Sequence, residues 1–412
     1  MRLVRITTNY PTYIKDFYSK NPHLKDASYV SQHREMMKEG FGWADFWDRA
    51  LEPIGYEVTN YIANAEIMQK QWAAENHLLI NQNNWFEEII LAQIKKFQPD
   101  ILFVDDYISF SKDFLVSLKT ICSSIKLTLG WCGAPFKSSD IFSAYDIVLS
   151  NIPELVLYFQ ECGFQAKYVR HAFSPSVLKG IDLNRPKDIN FSFIGSILPG
   201  KSLHNQRINL IKKLIKDVDL ELFCHVPHHG YVDKFLDPLK EVTYASIQNL
   251  AKVANIKKIL KQIPKIKNYV DLNESSISLK YLDTEIVSKA KPPLFGLEMF
   301  QVLASSKISL NNHIDISRNS ASNMRLFEVT GVGTCLLTDW KPNLQEIFDI
   351  DREIVTYSSI EECVEKIRWL LNNPRAIEAI AKAGQTRTLK DHTFDNRALV
   401  LDEIMQDFLK RA

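Results

Sequence analysis

Short apolar runs alternate with longer amphipathic stretches along this chain. Leu3-Val4-Arg5-Ile6 reads as an opening strand. A polar and aromatic stretch from Asn9 to about Gln32 follows, and a segment that long inside a compact domain is functional or partly helical. Residues 43–51 read as a helix, and Gly55-Tyr56-Glu57-Val58 opens a second strand. Over 85–97, Phe86, Ile89, Ile90, Ile94 and Phe97 fall at helical spacing until Pro99 ends the pattern. The buried strand 101–104 comes next and ends at Asp105-Asp106; 126–131 and 147–150 are further strands, and helices such as 112–123 complete βα units. That alternation predicts a parallel sheet.

A second α/β block starts near Ile189. Strand 191–196 ends in Gly195-Ser196, an amphipathic helix covers 205–217, and 220–224, 308–311 and 332–337 are strands. The polar stretch 182–188, with Pro186, reads as the connection between blocks. Beyond Tyr357 the chain is helical over 360–371, 374–383 and 393–409. Two α/β halves of similar size place a ligand cleft between them, at the C-terminal ends of their strands.

The length of 412 residues suits two or three domains. A formal net charge of +1 argues against bulk nucleic-acid binding. Cys122, Cys132, Cys162, Cys224, Cys335 and Cys363 form no Cys-x-x-Cys pair and several lie in apolar runs, which reads as reduced thiols in a cytoplasmic protein. Met1 to Thr8 reads as a strand and not as a leader, and no apolar run approaches the roughly 20 residues of a membrane span. The segment 242–270 carries Lys252, Lys257, Lys258, Lys261, Lys265 and Lys267 with no acid. It has two readings, a solvated helical face or a peripheral contact with the anionic inner face of a membrane.

Candidate chemistry concentrates in 323–339. A polar loop leads into a short helix with one acid, then a Gly331-x-Gly333 break and a buried strand ending in Thr338-Asp339. Backbone N–H groups at such a helix entry suit a phosphate. Arg325 is placed to bind a diphosphate bidentately, and Glu328, one turn on, to accept hydrogen bonds from a ribose diol. Ser322 and Asn323 add hydroxyl, amide and backbone donors. Gly195-Ser196 can let the backbone approach a phosphate, Arg207 on the next helix can reach the diphosphate, and His313 and Asp315 follow a strand over the same cleft.

Together with Asn343-Leu344-Gln345-Glu346-Ile347-Phe348, Ala383-Gly384-Gln385 and Asp391-His392-Thr393-Phe394, this region resembles the CgeB-like group of GT-B glycosyltransferases. More distantly it resembles the retaining family-four enzymes. The similarity is strong over about 292–397 and weaker over the N-terminal half, through Trp131-Cys132-Gly133-Ala134-Pro135, Tyr145-Asp146-Ile147-Val148-Leu149-Ser150 and Phe191-Ser192-Phe193-Ile194-Gly195-Ser196. The resemblance implies an α/β GT-B fold of two Rossmann-like domains facing a central cleft. It divides the chain into an acceptor-binding domain (1–182), a nucleotide-sugar-binding domain (183–390) and a C-terminal helix (391–412) crossing back to the first. It also places Pro293 against the nucleobase and Glu346 against sugar hydroxyls. The position of the family-four enzymes' first glutamate is Ser320, so retention does not carry over.

In the first domain an inverting transfer needs a base. Asp45, among the aromatics of 40–47, is preferred over His33 and Asp106. The Asp217-Val218-Asp219 and Asp349-Ile350-Asp351 triplets read as turn acids, so no metal is expected, and no cofactor beyond the nucleotide-sugar donor. The reading is a glycosyltransferase acting on a glycan, glycolipid or protein acceptor. An NDP-sugar epimerase of the same fold and a non-catalytic surface or spore-layer protein are the alternatives. The aromatic N-terminal stretch favours a bulky acceptor against the first, and Arg325 with Glu328 argues against the second.

Overall fold

In a computed structural model, residues 1–197, 204–225, 284–314, 317 and 319–411 are described; the lysine-rich segment 242–270 and Asp315 lie outside them. The first sheet contains β1 (Arg2–Thr7), β2 (Glu57–Ile62), β3 (Ile101–Val104), β4 (Leu127–Trp131), β5 (Ile147–Ser150) and β6 (Ala166–Tyr168). Their order is β2-β1-β3-β4-β5-β6, all parallel. The second contains β7 (Ile189–Ile194), β8 (Glu221–Phe223), β9 (Ala290–Lys291), β10 (Ser306–Asn311), β11 (Cys335–Asp339) and β12 (Val355–Tyr357). Here the order is β12-β11-β10-β7-β8-β9, again parallel. Each sheet reverses direction of growth once, between β1 and β3 and between β7 and β10, which is the doubly wound pattern.

The period of two along each strand sorts its side chains between cores. Val4, Ile6, Leu102, Val104 and Val148 pack with the helices Trp85–Phe97 and Lys112–Ile121. Their alternates Leu3, Ile101, Phe103, Ile147 and Leu149 face the opposite way, into a core that also holds Phe173 and, from the second half, Phe300, Phe327, Phe394 and Met405. On the far side of the second sheet, Phe191, Phe193, Ile308, Leu310 and Leu337 pack with the helices Asn205–Asp217 and Ile360–Leu371. Strands buried on both faces explain the continuous apolar runs in the sequence.

Three segments differ from the pattern-based expectation. The stretch 9–32 is mostly helical: Pro11–Lys20, a 3₁₀ turn Pro22–Asp26, and Tyr29–Lys38. Pro11 starts the first helix, which buries Tyr13, Phe17 and Tyr18 on one side, and the Ser28 hydroxyl caps the second by accepting from the Ser31 N–H. The strand expected at 332–337 begins only at Cys335, because the helix Arg325–Gly331 runs on into a turn in which Gly333 has φ +77°. The helix Pro374–Asp391 passes through Gly384, where a β-carbon would stand 2.4 Å from the Glu353 carbonyl oxygen.

The last helix, Phe394–Leu409, starts at a capping box made by Thr393 and Asn396. It packs on the first sheet's side of the molecule: Phe394 meets Phe46 and Trp47 at ring-centroid distances of 5.3 and 5.1 Å, and the Tyr56 hydroxyl donates to Asp402 at 2.6 Å. The crossover helix is therefore present.

Candidate functional site

Where neighbouring strands of a doubly wound sheet diverge, their C-terminal ends leave a crevice. In the first sheet that point is flanked by Thr7 and Asp105; in the second, by Gly195-Ser196 and Asn311-Asn312. All of them line one cleft of about 610 Å³ between the sheets. Its size falls within the roughly 300–1,000 Å³ of small-molecule sites.

The second-domain wall brings together most of the donor-side residues singled out in the sequence. Gly195, Ser196, Arg207, Pro293, Ser322, Asn323, Arg325 and Glu328 all border the cleft. Arg325 pairs with Glu328 at 2.9 Å, and both side chains are largely buried. The Arg207 guanidinium donates to the Ser196 carbonyl at 2.8 Å and to the Asn312 carbonyl, tying together the ends of β7 and β10. Asn323 donates to the Asn311 side chain at 2.9 Å, which in turn donates to Thr338, so the loop ahead of the helix is fixed to the end of β10. Two expected members stand elsewhere. The His313 ring is fully buried, with Nδ1 2.7 Å from Asp339, and does not border the cleft. Glu346 is exposed and pairs with Arg170 at 3.1 Å, so it bridges the two halves at the surface. Ser320 is also outside the cleft, donating to Glu154 at 2.6 Å.

The first-domain wall departs more from expectation. Asp45 lies outside the cleft, held by Arg49 one helical turn on at 2.7 Å. His33 is turned away, with Nε2 3.0 Å from the Asn60 carbonyl and its ring stacked on Tyr29. Asp106 caps its own turn, accepting from the Ile108 and Ser109 N–H groups and the Thr8 hydroxyl. The carboxylate that does border the cleft is Asp105, beside Thr7, Trp43, Trp131, Asn151 and His171. Arg5 holds it at 3.0 Å while also donating to Asn60 and to the Ala44 carbonyl. Burial pushes Asp105 up to about 6, with Arg5 opposing.

Asp105 and Asp106 are adjacent in sequence just past the end of β3, yet one reaches the cleft and Arg5 while the other caps its own turn; the sequence carries no mark of which faces the ligand. His171 and Asn151 carried no motif. His171 lies between Trp43 and Trp131, at centroid distances of 5.8 and 5.4 Å, and burial pushes it down to about 3. Gly133 makes room for Asn151: a β-carbon there would lie 2.4 Å from the amide oxygen. Among the described residues no group of three His, Cys, Asp or Glu side chains is placed to hold a metal ion, and no helix is long and apolar enough to cross a membrane.

Beside the cleft, Arg397 of the last helix donates to the His171 carbonyl at 3.3 Å and approaches His392 Nδ1 at 3.1 Å. Burial, with Arg397 adding to it, lowers His392 to about 4. Well above pH 6.5 both histidines are neutral in either state and stability does not depend on them. Below it the unfolded chain takes up protons first, so stability falls until the folded values near 4 and 3 are reached. Between pH 7 and 5 each histidine is expected to cost up to about 2 kcal/mol. Asp48 and Asp105, both pushed up to about 6 chiefly by burial, gain stability as pH falls and oppose this. Denaturant unfolding of wild type and His392→Asn at both pH values separates the effects: the variant should lose less on acidification.

Residues 257–403 match a family described as glycosyl transferase-like. No curated protein matches the sequence. Among solved structures, the sucrose-phosphate synthase of Thermosynechococcus elongatus is similar over 100% of both chains at 10% identity, with a TM-score of 0.54. The HepE protein of Anabaena, in complex with UDP and glucose, is similar over 99% of this chain and 100% of its own at 8% identity, TM-score 0.52. A glycosyltransferase from Rickettsia africae covers 100% and 99% at 11% identity, TM-score 0.53. At such identities the likeness concerns the fold: two parallel, doubly wound sheets across a cleft, the GT-B arrangement.

Proposed function

We propose that this chain is a GT-B glycosyltransferase that moves a sugar from a nucleoside diphosphate sugar to an acceptor hydroxyl. One observation carries the reading: the Arg325–Glu328 pair, Gly195-Ser196 and Asn323 converge on one wall of a cleft that opens at the switch points of both sheets. A diphosphate between Ser196 and Arg325 would draw the guanidinium from Glu328, freeing that carboxylate to accept from a ribose diol. Pro293, which lines the same cleft, would lie against the base. Departure of the nucleoside diphosphate leaves charge on its oxygens, which Arg325 and the backbone N–H of Ser196 can stabilise in place of a metal, the Gly195 N–H being held by the Phe223 carbonyl. The family match and the fold support the class of reaction, and the CgeB-like resemblance narrows it to assembly of surface glycans, glycolipids or glycoproteins in the cytoplasm.

The exposed aromatic Tyr10, with Phe41 against it, flanks the first-domain side and suits a carbohydrate or otherwise bulky acceptor better than the small ring of an epimerase substrate. Calorimetry with UDP, GDP, CDP and dTDP tests the reading. One of these should bind, and UDP goes first because the HepE structure holds it. If none binds to the folded chain, the proposal fails. Once a donor is found, turnover should survive EDTA; complete loss that a divalent metal reverses would instead place an ion at the diphosphate.

A further inference from the structure

We propose that Asp105 is the acceptor-side catalytic residue, taking the proton of the acceptor hydroxyl as that oxygen attacks the sugar. The inference rests on the glycosyl-transfer reading above and adds to it the group on the opposite wall. Among the described residues that border the cleft, Asp105 and Glu328 are the carboxylates, and they sit on opposite sides. Glu328 is engaged by Arg325 on the donor wall. Asp105 directly follows β3 at the switch point of the first sheet, where an acceptor entering from that side meets it.

Its orientation is fixed from behind. Arg5, on the adjacent strand β1, reaches one carboxylate oxygen and is itself held by the Asn60 side chain and the Ala44 carbonyl. Arg5 is thereby a positioning residue. The charged and titratable neighbours are Arg5 from β1, Asp106 on its own turn, Tyr145, whose hydroxyl burial and these two acids hold protonated, and His171 along the cleft, which burial keeps neutral. Burial and Asp106 raise the carboxyl, Arg5 restrains it, and the balance leaves a group that is ionised at neutral pH and basic enough to accept a proton.

In the step itself, the acceptor O–H bond breaks and its proton passes to Asp105. The acceptor oxygen bonds to the anomeric carbon while the bond from that carbon to the diphosphate oxygen breaks. The nucleoside diphosphate leaves with that electron pair, and Asp105 later returns its proton to water. A single displacement of this kind inverts the anomeric centre.

The test compares wild type, Asp105→Asn and Asp45→Ala over a panel of UDP-, GDP-, CDP- and dTDP-sugars, with mixed mono- and oligosaccharides as acceptors. Release of nucleoside diphosphate, product anomer by NMR, and nucleoside diphosphate affinity are read separately. Asp105→Asn should bind the diphosphate within about twofold of wild type yet transfer 10²–10⁴-fold more slowly. Asp45→Ala should transfer at the wild-type rate. In wild type the rate should fall as pH drops through about 6, a readout that needs no variant to fold. Near-wild-type transfer by Asp105→Asn, retention of configuration, or no acid limb near pH 6 would each overturn the role of Asp105 and leave the glycosyltransferase reading intact. If wild type binds no nucleoside diphosphate and releases none from any donor, the underlying reading falls, and this inference with it.

Discussion

Arg325→Ala is expected to lower nucleoside diphosphate affinity by about 2–5 kcal/mol, the range found when one partner of a buried, hydrogen-bonded charge pair is truncated. Two effects add. The diphosphate loses a charged donor, and Glu328, only 8% exposed, is left as an uncompensated carboxylate facing an anionic ligand. Glu328→Gln should act differently. It removes the negative charge but keeps an oxygen for Arg325, so inorganic pyrophosphate should bind as well as before while nucleoside diphosphate binds less well. The double variant should recover part of the loss seen in Arg325→Ala, because the stranded charge is gone; the two positions touch and should not be additive. Calorimetry on all three variants measures this. Unchanged affinity in a folded Arg325→Ala protein would remove the pair from the ligand site.

A large structural effect is expected at Gly384. The helix Pro374–Asp391 crosses close to the helix Arg325–Gly331, and the hydroxyls of Thr330 and Thr388 share a hydrogen bond of 2.6 Å in the contact. A β-carbon at Gly384 would meet the Glu353 carbonyl oxygen at 2.4 Å and the Thr330 methyl at 3.3 Å. The first of these is backbone and cannot rotate aside. Gly384→Val must therefore push the helix Pro374–Asp391 off the turn at Glu353, at about 3 kcal/mol, the upper end of ordinary overpacking. The Arg325 helix moves with its neighbour, so nucleotide binding should weaken as well. Guanidinium unfolding gives the stability change; a loss under about 1 kcal/mol would mean that the crossing is looser than described.

The sheets were readable because strands buried on both faces leave unbroken apolar runs, as at 101–104 and 147–150. The aromatic stretch after β1 was harder. Its Tyr13, Phe17 and Tyr18 have helical spacing, but polar residues dilute the pattern. On the donor side, a loop and helix contiguous in sequence are contiguous in space, so most of the residues chosen there reach the cleft. The acceptor side is assembled from the ends of β1, β3 and β4 and the segment after β6, with no local signature. The aromatic neighbours of Asp45 point to the cleft, and Trp43 does face it; two residues on, the chain has turned into the helix Phe46–Leu51 and Asp45 pairs with Arg49 instead. The strand end before His313 points it to the cleft, but the interior carboxylate of Asp339 holds its ring.

The loop at Pro293–Gly296 is fastened to the opposite half. The Leu297 N–H donates to the Glu39 carbonyl at 2.7 Å, Gly296 at φ +51° leaves no room for a β-carbon against that oxygen, and Phe295 packs on Tyr13 and Phe41. Any widening of the cleft that separates the halves on this side has to break those contacts. A ligand that seats against Pro293 and one that seats against Phe41 therefore act on the same joint. Whatever factor the first contributes to the affinity of the second, the second must return to the first. Occupancy of either wall is then a message to the other, and order of addition in a binding titration should not change the total free energy of the ternary complex.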